Sequence, residues 1–236
     1  MNSILRRRRG MMGAQSKLPP IPAGYVTDGL VFFLDGLQLA NANNWTDIVG
    51  GKKFTLYNCS VANSNNGIVF DGTTSYGETS GAITNDFANE TIEVVASYFP
   101  NSTALLFSQP VVNGNVGIGI AFSNSSSGGK VAVAIGHDGV KRNGRSATNA
   151  TSDQRSKKVL GINGSRLIIR KTNMTGTYET TWAGYETGVT TLGCRCNDSR
   201  GNKYTGTVYA VRIYNRKLSE AEIGQNQDMD IVRYGI

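Results

Sequence analysis

The sequence predicts an all-β protein, an antiparallel two-sheet jelly-roll sandwich with an extended N-terminal arm and a short C-terminal helix. Three observations carry this. Tyr204, Gly206, Val208, Ala210 and Arg212 alternate with Thr205, Thr207, Tyr209, Val211 and Ile213 at the two-residue period of a strand with one apolar face. Short apolar runs recur along the 236 residues, separated by clusters of Gly, Asn, Ser and Thr. Glycine supplies 29 residues, proline only 5, and charged side chains 17% of the chain, which suits short strands and many turns. Strands with one apolar face must bury it against a second sheet. No repeat of about 20–50 residues is visible, so a propeller or solenoid is not expected. The length fits one sandwich domain of roughly 200–250 residues.

The first element is a basic arm and proline linker over 1–22, with the sandwich over 23–236. Residues 1–20 hold five basic side chains (Arg6 to Arg9 and Lys17) and no acidic one, leaving 19 basic against 17 acidic residues in the body. The body is therefore close to neutral, and the arm carries the charge excess of a docking peptide. Gly10-Met11-Met12-Gly13 after the arginines is no apolar signal core, so secretion by a signal peptide is not expected. In Leu18-Pro19-Pro20-Ile21-Pro22 each proline fixes its own φ and restrains its predecessor, which predicts an extended linker holding the arm off the body.

Strands follow at about 29–35, 53–57, 67–71, 74–78, 91–98, 103–108, 115–121, 130–136, 157–162, 165–170, 189–195 and 204–214. Asn163-Gly164 signals a hairpin, His137-Asp138-Gly139 a turn, and the polar stretch from Lys141 to Lys158 an exposed loop or splayed hairpin. The 204–214 strand is expected at the centre of its sheet. After it, Ser219-Glu220-Ala221-Glu222 forms a capping box, so a helix follows, packing through Leu218, Ile223 and Met229. No apolar run approaches the roughly 18 residues of a membrane span. Cys59, Cys194 and Cys196 are odd in number and lack CxxC spacing, so they read as free thiols in a reducing compartment.

The block from Tyr204 through Ile213-Tyr214-Asn215-Arg216 to Leu218-Ser219, with Glu222-Ile223, Asn226 and Arg233-Tyr234-Gly235-Ile236 behind it, resembles the C-terminal signature of the concanavalin A-like lectin/glucanase superfamily, in particular its laminin-G-like branch. The resemblance continues in Asp28 to Gly36, in Trp45-Thr46-Asp47-Ile48-Val49-Gly50-Gly51, in Phe70-Asp71-Gly72-Thr73-Thr74-Ser75-Tyr76 and in Thr91-Ile92-Glu93-Val94. It implies the sandwich fold, leaves the ligand open, and makes Trp45 part of the scaffold. Separately, the tetra-arginine opening, the proline linker and the Gly24-Tyr25 to Gly36 segment resemble virion-associated proteins of tailed phages of gut bacteria, notably the crAss-like group.

The superfamily includes glucanases, so paired acids were sought. The Glu-x-Asp-x-(x)-Glu strand pattern is absent, Glu90 and Glu93 point to opposite strand faces, and Asp228 and Asp230 do not share a helix face. No enzyme is expected. A single histidine, His137 in a turn, leaves no nucleophilic triad. Calcium is the candidate ion: Asp71 and Asp198, with Asp47 and Asn197, are its candidate ligands, the alternative being that these residues only build turns. For carbohydrate, Trp182 and Tyr185 are the candidate stacking platform, with Asp138, Arg142 and Asn143 from neighbouring loops; closure of the core by Trp182 is the alternative.

The leading expectation is a non-enzymatic phage virion structural protein, a capsid decoration or head-fibre module, anchored by Arg6, Arg7, Arg8 and Arg9. Its sandwich is lectin-like, with a cell-surface glycan as the expected ligand class. Its partners would be other virion proteins and a second copy of the chain in a homo-oligomer, and its location the virion assembled in the host cytoplasm. The alternatives are a free carbohydrate-binding lectin and a glycoside hydrolase with a cross-strand acid pair.

Overall fold

The computed structural model describes residues 18–38, 41–62, 66–84, 89–97, 104–111, 115–122, 131–137, 140–145, 158–163, 166–169, 172–174, 189–196 and 199–235. Among them β1 (Leu30–Asp35), β2 (Asn44–Thr46), β3 (Lys53–Tyr57), β4 (Ser60–Val61), β5 (Ile68–Asp71) and β6 (Tyr76–Ser80) come first. Then follow β7 (Thr91–Ser97), β8 (Ala104–Val111), β9 (Asn115–Phe122), β10 (Val131–His137), β11 (Val140–Arg145) and β12 (Lys158–Asn163). β13 (Arg166–Ile169), β14 (Thr172–Met174), β15 (Val189–Leu192), β16 (Thr205–Tyr214) and the helix α1 (Glu220–Tyr234) complete the order. One sheet runs β14-β13-β12-β7-β16-β5-β4 with β1 also on β16, and the other runs β11-β10-β9-β8-β15-β6-β3-β2. The protein is an antiparallel β-sandwich with one C-terminal helix.

The length of β16 is what closes the first sheet. One edge pairs with β7 along its whole run, while the other pairs with β5 through Thr205–Val208 and with β1 through Ala210–Tyr214. Its period-two pattern is broken once. The register slips between Val208 and Ala210, so Tyr209 and Ala210 both face outward, and Val211 and Ile213 return to the core between the sheets. A strict alternation would have put Val211 and Ile213 on the face opposite Val208; the bulge puts them together.

Between the sheets lie Phe32, Leu34, Trp45, Phe54, Leu56, Phe70, Val94, Phe107 and their neighbours. Trp45 is fully buried, its indole N–H donating to the Asp35 carbonyl at 3.1 Å, as the scaffold role requires. The outer face of the first sheet has a second core, in which Phe33, Val95, Ala210 and Tyr214 meet Leu218, Ile223 and Tyr234, with Met229 packed against them. The helix thus covers the face of three strands. Ser219 accepts from Glu222 N at 3.3 Å, Glu222 accepts from Ser219 N at 2.8 Å, and Gly235 ends the helix at φ 65°.

Three local expectations need correction. Lys141 to Arg145 form the edge strand β11 rather than a loop: charged side chains hide the strand from a hydrophobicity reading, yet suit a sheet edge. The 157–170 hairpin exists, but Asn163 pairs with Arg166, so Asn163 is the last strand residue rather than a turn residue. Its amide instead binds both backbone groups of Leu218, accepting at 3.0 Å and donating at 2.7 Å. The linker also does not stand clear of the body. Pro20 O accepts from the Gln38 side chain at 3.2 Å, and Ile21 packs on the outer core. Ile21 is the apolar residue among the prolines, and burying it outweighs extension.

Candidate functional site

Of the expected site residues, Arg6 to Arg9, Asp138, Trp182, Tyr185, Asn197 and Asp198 lie outside the described residues. Arg142 and Asn143 sit on β11, opposite Ile135 and Ala134, at one edge of the second sheet. Asp71 is the hub of its own turn. Its Oδ1 accepts from Thr73 N, Thr74 N, Ser75 N and Ser75 Oγ at 2.7–2.9 Å, and Oδ2 accepts from Thr74 Oγ1 at 2.6 Å. Desolvation works to raise its pKa, but these donors win and hold the carboxyl far below the usual carboxylate range. Asp47 is buried and accepts from the backbone N–H groups of Phe33, Val49 and Gly50 at 2.8–2.9 Å. Both carboxylates thus build turns, and among the described residues no three His, Cys, Asp or Glu side chains form a metal-holding group.

The acids that do converge are Glu93 and Asp230. Arg212 Nε donates to Glu93 Oε2 at 2.9 Å, and its two terminal nitrogens donate to Asp230 at 2.6 Å. All three side chains are fully buried beneath α1, where Tyr25 donates to Asp230 and Asn226 to Glu93 Oε2, while Glu93 Oε1 has no hydrogen-bond partner among the described residues. Burial pushes the Glu93 carboxyl upward, against the pull of Arg212. The cluster ties helix to sheet.

An exposed constellation lies on the second sheet. On β3, Phe54 and Leu56 enter the core, so Lys53, Thr55 and Tyr57 face solvent by the period of the strand. β6 lies alongside with Tyr76 opposite Tyr57 and Glu78 opposite Thr55. The two tyrosine rings stack, centroids 4.7 Å apart and planes 17° from parallel, and Tyr57 is 38% exposed. Tyr57 Oη donates to Glu78 Oε1 at 3.3 Å, and Arg200 Nη2 donates to Glu78 Oε2 at 2.8 Å. Lys203 Nζ lies 4.2 Å from the centre of the Tyr76 ring, with the Arg200 guanidinium carbon at 5.9 Å.

Two turns set this geometry. The Asp71 turn, with Gly72 at φ +78°, delivers Tyr76 to the start of β6; a side chain at Gly72 would collide with Thr205. The segment between β15 and β16 folds across the sheet, pinned by Thr191 Oγ1 donating to Cys194 O at 2.8 Å and Cys196 N donating to Ser108 Oγ at 3.3 Å. Among the described residues, the non-glycine positions with positive φ are Asn58 at 52°, Arg200 at 45° and Asn202 at 54°. Asn58 follows Tyr57, Arg200 lies over Tyr76 and Asn202 precedes Lys203. Asparagine tolerates this region, but for Arg200 it costs about 1–2 kcal/mol, sustained by its bonds to Glu78 and to Cys196 O at 2.9 Å. Burial pushes the neighbouring Cys59 and Cys194 thiols up, to about 12 and about 11, so these sulfurs supply no nucleophile at neutral pH.

Sequence reasoning did not single out these residues, which lie far apart in the chain and meet only through the β3–β6 pairing and a cross-sheet loop. A signal was present. Tyr57 and Tyr76 stand on the polar face of their alternating strands, where an aromatic is not needed for the core.

No protein-family description matches the chain, and no curated protein matches it. Solved structures match by fold. The sialidase of Trypanosoma rangeli in complex with sialic acid superposes with a TM-score of 0.63 at 19% identity, over 93% of this chain and 36% of that one. The binding domain of botulinum neurotoxin DC in complex with SialylT gives 0.64 at 10% identity, over 86% of this chain and 52% of that one. The receptor-binding domain of the mosaic serotype C/D neurotoxin gives 0.65 at 9%, over 87% and 52%. This chain therefore spans about a third to a half of those proteins, and the likeness shows a shared β-sandwich fold.

Proposed function

We propose that the chain is a non-enzymatic glycan-binding β-sandwich, carried as a decoration or head-fibre module on a tailed-phage virion by its tetra-arginine arm. The observation that carries the binding role is the exposed Tyr57–Tyr76 stack ringed by Glu78, Arg200 and Lys203. A flat apolar face suits sugar C–H groups, while a phenol, a carboxylate and an ammonium suit the hydroxyls. Two of the proteins that share the fold hold sialic acid or SialylT, which favours the same ligand class here. Burial of Glu93 and Asp230 favours binding over hydrolysis. The charge of the arm and the resemblance of the opening segment, from Leu5 to Gly51, to virion proteins support the carrier role.

A glycan array with the full chain tests the site. Tyr57→Ala should weaken binding several-fold and Tyr57→Phe less, and neither should lower stability by more than a cross-strand pair contributes, about 0.2–1 kcal/mol. Loss of binding in Trp182→Ala, with Tyr57→Ala unaffected, would move the site to the Trp182–Tyr185 segment. Release of reducing ends from any bound glycan would establish hydrolysis instead.

A further inference from the structure

Lys203 holds its ammonium against the Tyr76 ring, yet no carboxylate among the described residues ion-pairs with it. The nearby acids are otherwise engaged. Glu78 accepts from Arg200 and Tyr57, and Asp71 accepts five donors of its own turn. The ring of Tyr76 therefore has Tyr57 stacked on one face and a cation on the other. Since Lys203 Nζ is 4.2 Å and the Tyr57 centroid 4.7 Å from the centre of the Tyr76 ring, the ammonium lies at most about 9 Å from the centre of Tyr57. The free face of Tyr57 lies on the side away from Tyr76, so this cation matches an oligosaccharide that stacks on Tyr57 and carries a negative charge further along its chain.

We propose, building on the glycan-binding reading above, that the ligand is an acidic oligosaccharide: one sugar stacks on Tyr57, and the carboxylate of a uronic or sialic-type residue further along the same chain pairs with Lys203. The span explains why more than one sugar is needed. A single acidic monosaccharide on Tyr57 leaves its charge on the wrong side of Tyr76.

The experiment compares the binding of a carboxylated oligosaccharide, its carboxyl-reduced neutral form, and a sulfated oligosaccharide without carboxylates to the full chain. The carboxylated form should bind about tenfold more tightly than the reduced form, as a hydrogen bond to a charged group contributes. Its affinity should fall with added salt. Lys203→Gln should remove the tenfold preference and Lys203→Arg restore it, while Tyr57→Ala weakens all forms. Equal binding of the carboxylated and reduced forms, with Tyr57→Ala still weakening both, overturns the acidic ligand and leaves the glycan site standing. Preference for the sulfated form alone overturns the carboxylate, and Tyr57→Ala without effect on any form overturns the site itself.

Discussion

Gln227 shows at the scale of one residue how a buried polar group can be a burden. It is 2% exposed, and neither its amide nitrogen nor its amide oxygen has a hydrogen-bond partner among the described residues. An unsatisfied buried amide costs about 1–3 kcal/mol, so Gln227→Met, close in volume, should raise stability by about 1 kcal/mol, read as a higher melting temperature. A lower melting temperature would show that the amide is satisfied in solution. Arg212 is the opposite case. Its guanidinium is fully buried but serves two carboxylates at once, so Arg212→Ala, which strands both, should cost about 3–5 kcal/mol in denaturant unfolding. Identical burial thus gives opposite signs, and partner geometry decides between them.

At the scale of an element, α1 depends on Glu222, which caps Ser219 and ion-pairs with Arg216 Nη2 at 2.5 Å. The Arg216 hydrogen bond lowers the Glu222 pKa from the ordinary 4.5 to about 2, despite some opposing desolvation. A depressed carboxylate stabilises the fold above its unfolded pKa, and that contribution is lost as pH falls from about 4.5 through about 2. The melting-temperature gap between the native protein and Glu222→Gln should therefore be full at pH 6 and close near pH 2. The capping box itself was legible in the sequence because all its atoms lie within four residues. Most strands were legible for the same reason, since an alternation such as Lys53 to Tyr57 is local. The short strands β2, β4 and β14 and the charged β11 were not, because each is held by a neighbour's backbone rather than by its own apolar face. The tyrosine stack was illegible for a related reason: Tyr57, Tyr76, Arg200 and Lys203 become one site only when two strands pair and a distant loop crosses them.

For the whole molecule, the seating of Ile21 places the start of the folded body ahead of residue 22. Removing residues 1–17 should leave the melting temperature unchanged yet abolish incorporation into particles, counted by mass spectrometry of purified virions. Normal occupancy by that truncation would overturn the anchoring role. Removing 1–22 should in addition lower the melting temperature, because Ile21 is stripped from the outer core. The central position of β16 also sets a timetable for biosynthesis. About 170 residues separate β1 from the strand it pairs with, and β5 and β7 await the same partner. At roughly 5–20 residues per second, a ribosome takes on the order of ten seconds or more to supply it. Until it emerges, Phe32, Phe70 and Val94 belong to strands with a missing neighbour, so the first sheet of the nascent chain is completed only by a single late strand.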